Sequence, residues 1–600
     1  MKTCRAPLLI LCLCLGLSAV ATVPFFFLAE PAEDESRWAL RVPETYDLGY
    51  HVNEAEMFYE GLKTGCLYPI WLAGGNKGYG APATAYYPPG AYYLLSGLYL
   101  LLKNWIVATL AAYLIMMICS AAAMYVYARQ WFSKAGAVFA MVAYIFTPFH
   151  LWEQYVRGTF GELMTYIWMP LLLLFTDRLF RRGSPSSGNR PAGVMLNMAG
   201  LAICYGASLW SHVPSIHPFS LALGIYILLL GLVNRDWKGV VFCGAGIALA
   251  LGLSAAYWYP AFVGRNLIWP GFIDPDMYHS SYVFGPNFHA DAHIWTFDLV
   301  AILICAIVLL VATRRKQSDS IALRNQIILW AILGCFASFM TTSYSEPIGR
   351  RIPMISMAQG PFRMLMITAL IAALLVGACR HVASLAKSAA RKVRYVQVGI
   401  AMALLIITVV FSIVRVIKPV YWRPEEDLSD IAPRTAYDPD ENDLDYVVPR
   451  TVPFLSNYWC NIDDLNSLPL SEPAILENGR GEVCVNKWNP QHRELSAELT
   501  ESDRLSIRTF NFPGWTARVD GRPAQLGTGA GLGEMVLDLD AGTHAITLDF
   551  LETPARRRGN LLNLAALIAW AGIVSAAFAL KRLPAQRASH VDPMAALRSE

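Results

Sequence analysis

Apolar stretches of about 17 to 22 residues recur along the whole chain, each long enough to cross the ~30 Å hydrocarbon core of a bilayer. No water reaches that depth to satisfy backbone N–H and C=O groups, so the pattern permits a bundle of spanning helices and little else. Of the 600 residues, 55% are hydrophobic and 16% charged, which excludes a soluble globular fold. The formal net charge of +3 is too balanced to support a nucleic-acid partner.

The first thirty residues begin like a signal peptide, with Lys2 and Arg5 ahead of an apolar run. Phe25 and its apolar neighbours carry that run to membrane length, so we expect an uncleaved first span over 7–28. Eleven further runs follow, at 105–128, 135–150, 163–177, 195–211, 217–233, 239–259, 296–313, 325–342, 362–379, 395–415 and 561–580. Short basic stretches separate many of them, as at 129–134, 178–190, 235–238, 314–324 and 380–394. Twelve crossings with both termini cytoplasmic place all these stretches inside, as the positive-inside rule requires. A thirteenth apolar segment, 86–102, would reverse that arrangement. It is short, carries Pro88 and Pro89 and is rich in tyrosine, so it reads as a helix lying on or dipping into the outer leaflet.

The expected organisation is a transmembrane domain over 1–415, an outer segment over 416–560, and a last span with a cytoplasmic tail over 561–600. The first outer loop is 29–104. Within the outer segment, "RLSIRTF" and "MVLDLDAGTHAITLDF" alternate apolar and polar residues with the period of a strand. "VDGR" at 519–522 is an Asp-Gly hairpin signal. A β-sandwich-like domain standing on the membrane is expected, preceded by an acidic, loop-rich connector. The twelve cysteines show no CxxC or His-rich metal spacing. Cys460 and Cys484 both fall in the outer segment, where a disulfide between them is open.

The interiors of the spans hold almost no ionisable residues, whereas a proton-coupled transporter places them at mid-membrane. Ionisable groups gather instead at the outer ends of spans: Asp47, His51, Glu153, Arg157, Glu162, His212, His217, Arg265, Arg350, Arg351 and Arg363. A lipid phosphate presents its head group at this depth. Arginine binds phosphate through paired donors, and a nearby carboxylate can deprotonate an attacking hydroxyl. These parts suit sugar transfer from a polyprenyl phosphate to an acceptor hydroxyl.

Several motifs also resemble a known family. They are Asp47-x-x-x-His51, Gly65-Cys66-Leu67-Tyr68-Pro69-Ile70-Trp71, Gly78-Tyr79-Gly80-Ala81-Pro82 and Tyr86-Tyr87-Pro88-Pro89-x-x-Tyr92-Tyr93, followed by Arg157-Gly158-x-x-Gly161-Glu162, Ser211-His212, Trp258-Tyr259-Pro260 and Pro361-Phe362-Arg363. Together they resemble the bacterial membrane proteins labelled "6-pyruvoyl-tetrahydropterin synthase related", a group placed, despite its label, with the GT-C glycosyltransferases. Phe512-Pro513-Gly514-Trp515, Val519-Asp520-Gly521 and Ala541-Gly542-x-His544 are similar to the tail domain of YfhO-type membrane proteins. The resemblance implies a GT-C-like fold, a polyprenyl-phosphate-linked sugar donor, and an acidic residue of the first outer loop at the catalytic centre. Asp47 matches that position. Many GT-C enzymes carry a second acid beside it, where this chain has Leu48, so a divalent metal has no paired-acid motif behind it.

Asp47, His51 and Glu162 are therefore the catalytic candidates, and Arg157, Arg363, His212 and Glu54 the substrate-binding ones. Each has a plainer reading. Asp47 suits a helix N-cap, Arg157 and Glu162 suit an ordinary ion pair, and Arg363 suits an interfacial snorkel. Tyr68, Trp71, Tyr79, Tyr86 and Tyr87 are expected to anchor the first loop at the interface. The expected function is an integral membrane glycosyltransferase of a bacterial inner membrane, acting on its outer face upon an unknown glycan, lipid or protein acceptor. A lipid-linked-sugar flippase and a non-catalytic envelope assembly protein are the alternatives.

Overall fold

The computed structural model describes residues 5–27, 42–76, 78–180, 190–268, 282–284, 292–313, 318–352, 355–385, 391–418, 422–423, 472–530 and 533–589. Among the described residues, ten helices are long and apolar enough to cross a membrane, from Trp105–Ala128 to Pro554–Lys581. The pair Trp237–Leu253 and Ala255–Val263, bent by 76°, supplies an eleventh when taken as one crossing. The bend falls at Ser254, whose hydroxyl turns back to the Ala250 carbonyl at 2.9 Å. Helix Arg5–Phe27 occupies the expected first span, and its apolar stretch Leu9–Thr22 is shorter than these crossings. Within the segment expected to dip into the outer leaflet, the helix Gly90–Leu102 has 13 residues. Its rise of about 20 Å falls short of the ~30 Å core, so it cannot be a thirteenth crossing.

Helix Pro361–Val382 is buried along its whole apolar window and forms the axis of the bundle. Gly377 on it packs against Gly136 and Ala140 of helix Lys134–Ile145. Small residues suit an apolar solvent, where close backbone approach replaces the hydrophobic effect as the source of helix–helix attraction. The opposite faces of the outer helices carry exposed Leu101, Val241, Ile307 and Ile568, as a lipid-facing surface requires.

Val42–Pro43 pairs antiparallel with Trp422–Arg423, and the other strands form two larger sheets between helix 391–412 and the last helix, Pro554–Ser589. One sheet has four strands, in the order Ala474–Leu476, Asp503–Phe510, Glu534–Leu539 and Gly527–Thr528. The other has five, in the order Gly481–Trp488, His492–Leu499, Gly542–Phe550, Trp515–Val519 and Arg522–Ala524. Leu495, Leu505, Ile507, Leu537, Ile546 and Leu548 from both sheets share one buried core. The Asp-Gly signal is a two-residue hairpin: Val519 pairs with Arg522, and Asp520 and Gly521 both have positive φ, +52° and +76°.

This domain sits directly on the loop that carries Trp71 and Tyr79. Phe510 donates its backbone N–H to the Tyr79 carbonyl at 2.8 Å, and the two rings stack at 5.0 Å. Trp71 packs against Phe512, Trp515 and Phe550 with ring centroids 5.6–5.8 Å apart. Trp71 and Tyr79 are fully buried in this junction rather than anchored at the lipid interface as expected. A loop tryptophan reads the same in sequence whether its partner is a head group or another domain. Tyr68 and Tyr86 instead hold the first loop to itself and to the bent helix pair, donating to the carbonyls of Thr84 and Gly264 at 2.7 Å each. The acidic connector and Cys460, and with it the Cys460–Cys484 pairing, lie outside the described residues.

Candidate active site

The stretch Arg157–Glu162 is the hinge around which the site is built. Helix Lys134–Arg157 ends in a single π turn, Glu153–Arg157, a distortion that concentrates at functional sites. Gly158 follows with φ +73°, a conformation that costs any residue bearing a Cβ. A Cβ there would also lie 2.3 Å from Thr45 Oγ1. The approach is close because residues 46 and 47 run against this turn: Tyr46 N–H donates to the Val156 carbonyl at 3.1 Å, and Asp47 N–H to the Arg157 carbonyl at 2.9 Å. At Gly161, a Cβ would meet the Ser211 carbonyl at 2.7 Å. The two glycines of the Arg-Gly-x-x-Gly-Glu motif thus let the first loop and the end of helix Arg190–Ser211 close on either side of the charges.

Glu162, fully buried, is the hub. One of its oxygens accepts from Arg363 Nη2 at 2.7 Å, from Arg363 Nε at 3.2 Å and from Arg157 Nη2 at 3.0 Å. Arg363 Nη1 donates to the Ala358 carbonyl at 2.7 Å, so all three of its nitrogens are engaged, and the residue is 2% exposed. Arg157 is the more open of the two, with 15% of its side chain exposed. Its Nη2 also faces Asp47 Oδ2 at 3.4 Å, and its Nε pairs with Glu153 at 3.3 Å. No hydrogen bond to a described residue uses Nη1. Glu153 is held in turn by the Thr159 hydroxyl at 2.8 Å.

Asp47 occupies the N-cap position of helix Leu48–Lys63, but its side chain makes no capping hydrogen bond. The Thr45 hydroxyl accepts from Leu48 N–H at 3.0 Å instead. The carboxylate is released from the capping duty that its sequence position suggests, and at 28% it is the most exposed acid of the cluster. His51, one turn along, is buried among aromatic rings: Tyr87 at 5.5 Å, Tyr92 and Phe160 at 6.1 Å. Its Nδ1 lies 3.2 Å from the Tyr92 hydroxyl. Burial pushes its pKa down to about 4, so it is neutral at physiological pH. His212 is also driven well below the usual imidazole range by burial. Its Nδ1 meets Ser215 Oγ at 2.7 Å, and its Nε2 stands 3.9 Å from Glu162.

The structure therefore gathers Asp47, His51, Arg157, Glu162, His212 and Arg363 from five segments into one cluster. Glu54 lies fully buried further along the helix of Asp47, while the ion pairs to Glu162 come from Arg157 and Arg363. Three participants escaped the candidate set: Glu153, Tyr87 and Tyr92. Glu153 precedes Arg157 by four residues, a spacing that pairs opposite charges on a helix. The two tyrosines belong to the Tyr86-Tyr87-Pro88-Pro89-x-x-Tyr92-Tyr93 motif, but nothing in that motif indicates that they pack on His51. Among the described residues, no group of three His, Cys, Asp or Glu side chains is arranged to hold a metal ion. The carboxylates here face guanidinium groups.

A family model described as "6-pyruvoyl-tetrahydropterin synthase related domain; membrane protein" matches residues 84–421. No curated protein sequence matches the chain. Among solved structures, the chain is similar to ArnT from Cupriavidus metallidurans bound to undecaprenyl phosphate, at 15% identity and TM-score 0.40 over 66% of this chain and 70% of that one. It is similar to the archaeal oligosaccharyltransferase AglB from Archaeoglobus fulgidus, in complex with an inhibitory peptide and a dolichol-phosphate, at 12% identity and TM-score 0.39 over 68% of this chain and 54% of that one. It is also similar to the arabinofuranosyltransferase AftD from Mycobacteria, at 14% identity and TM-score 0.40, over 66% of this chain and 26% of that one.

Proposed function

The chain belongs to the 6-pyruvoyl-tetrahydropterin synthase related family of membrane proteins, and from that premise we propose that the cluster around Asp47 is the active site of a GT-C-type glycosyltransferase. The donor is a sugar linked to a polyprenyl phosphate, and the acceptor hydroxyl arrives on the outer face of a bacterial inner membrane. Both termini are then cytoplasmic and the β-domain periplasmic.

In this reading the acceptor oxygen forms a bond to the anomeric carbon, and its proton passes to the Asp47 carboxylate. The bond from that carbon to the phosphate oxygen breaks, and its electron pair leaves on the phosphate. Arg157, with exposed surface and an unengaged Nη1, meets the developing charge. Glu162 and Arg363 do not touch substrate. They hold the Arg157 fork in one orientation, so that little reorganisation is needed as charge develops. Neutral His51 and His212 shape the wall of the site and add no net charge.

The observation that carries this proposal is the release of the Asp47 carboxylate from its helix cap onto an arginine shared with a buried glutamate. Asp47→Asn keeps the shape and removes the base. General-base loss predicts a fall of about 10²–10⁴-fold in transfer. Lipid and glycan analysis of a deletion strain beside an Asp47→Asn strain tests it: both should lack the same sugar and accumulate the same lipid-linked donor. Full transfer by Asp47→Asn would sink the assignment.

A further inference from the structure

Glu162 is not alone on the Arg157 fork. The Nε and Nη2 hydrogens of a guanidinium point the same way, an edge that suits both oxygens of one carboxylate. Here two carboxyl groups share that edge: Glu162 Oε1 lies 3.0 Å from Nη2, and Glu153 Oε2 lies 3.3 Å from Nε. Both glutamates are fully buried. They reach the fork from either side of Gly158 in the chain, Glu153 from the π turn Glu153–Arg157 and Glu162 from helix Phe160–Phe180.

The other two oxygens of the pair, Glu153 Oε1 and Glu162 Oε2, are buried and receive no hydrogen bond from any N–H or hydroxyl group. The two carboxyl groups instead approach each other within hydrogen-bonding range. An ionised carboxylate can only accept, so two ionised groups would repel there, whereas one proton between them supplies the donor. Charge balance agrees. With every carboxylate ionised, the cluster sets Asp47, Glu153 and Glu162 against Arg157 and Arg363, and the neutral buried histidines add nothing. Among the described residues, one negative charge is then left over in a buried site. Close carboxyl pairs relieve such a surplus by keeping one proton.

The two glutamates are not equivalent. Glu162 accepts three N–H bonds from two guanidinium groups, at 2.7, 3.0 and 3.2 Å, the surroundings of an anion. Glu153 has the Thr159 hydroxyl at 2.8 Å and the longer, poorly aligned contact to Arg157 Nε. Both of these use Oε2, which leaves Oε1 to carry a hydrogen. We propose that Glu153 is an un-ionised carboxylic acid that donates from Oε1 to Glu162 Oε2, and that it positions Arg157 without neutralising it. A neutral acid still meets Nε through Oε2 and so steadies the fork, while Arg157 keeps the positive charge that a leaving phosphate needs. That consequence rests on the glycosyltransferase reading; the protonation of Glu153 does not.

The test uses the full chain in nanodiscs at neutral pH. The infrared spectrum of the wild type should contain the carbonyl band of a buried carboxylic acid that the spectrum of Glu153→Gln lacks. A glutamine amide donates and accepts at the same places as the neutral acid, so Glu153→Gln should keep the thermal midpoint near that of the wild type, unlike Glu162→Gln. Glu153→Ala removes the prop from Arg157 and should lower transfer by about tenfold or more, and Glu153→Gln in its place should restore most of that loss. An acid band unchanged by Glu153→Gln, or a midpoint that Glu153→Gln lowers as far as Glu162→Gln does, would each overturn the proposal. Full transfer by Asp47→Asn would sink the glycosyltransferase reading alone, because the acid band and the midpoints do not depend on it.

Discussion

Arg363 donates from both Nε and Nη2, at 3.2 and 2.7 Å, to a single oxygen of Glu162, a residue 201 positions earlier in the chain. Neither side chain is more than 2% exposed. The pair therefore fastens the axial helix to the Arg157 turn, and an outer arginine expected to meet lipid phosphate is committed to a protein carboxylate instead.

Glu162→Gln should leave two guanidinium groups buried without their counter-charge. Breaking such a pair costs about 3–5 kcal/mol, so a large fall in the thermal midpoint of the detergent-solubilised protein is expected. Adding Arg363→Met to Glu162→Gln should recover part of the loss. If Glu162→Gln unfolds at the wild-type midpoint, Glu162 is not the hub.

The two arginines should respond differently to the same change. Lysine cannot reproduce the planar fork of either. Arg157→Lys should lower turnover by at least about tenfold with a modest effect on stability, whereas Arg363→Lys should lower stability first. Unfolding midpoints and transfer rates measured on both variants decide the matter, and the opposite pattern would exchange their roles.

Gly158→Ala places a Cβ at φ +73° and against Thr45. Strain of about 1–3 kcal/mol is expected, together with a displaced Asp47 segment. Gly16→Ala, where nothing lies within 4 Å, is the control and should be silent.

His51 gives the chain an acid-side weakness. Its folded pKa is about 4 against 6.5 for the exposed imidazole, so between those values the unfolded chain takes up a proton that the folded one refuses. Stability from this residue is complete above pH 6.5 and is lost as pH falls toward 4, by up to about 1.4 kcal/mol per pH unit. His51→Asn should flatten that part of a stability–pH curve. An unchanged slope would mean that His51 is not buried as described.

Trp71→Ala should uncouple the β-domain from the first loop. Emptying a buried tryptophan site costs about 3–5 kcal/mol. Faster hydrogen exchange is expected at the Trp515–Val519 strand and around Tyr79, with the membrane helices unaffected.

Much of the architecture was legible because it depends on local pattern. A run of apolar residues becomes a spanning helix wherever it lies, and basic loops orient it. Alternation in 503–510 and 534–550 forms strands, and Asp520-Gly521 turns the chain through its own φ preferences. The charged residues that cluster around Glu162 were legible as well, since ionisable groups at span ends are scarce enough to stand out. What each of them touches was not. Asp47 reads as a helix cap, and that duty falls to Thr45 only because the backbone of residues 46 and 47 is pinned to the Arg157 turn. Arg363 reads as an interfacial cation, and Trp71 as an interfacial anchor.

The sequence by itself determined the membrane bundle of spanning helices, the β-domain and the set of charged groups from which a site could be built. The tertiary structure alone decided that Glu162 binds both arginines and that Asp47 is left open beside Arg157. The reason is physical. Hydropathy and backbone preference act between neighbours in the chain, whereas the partner of a buried charge is chosen by which helices pack side by side.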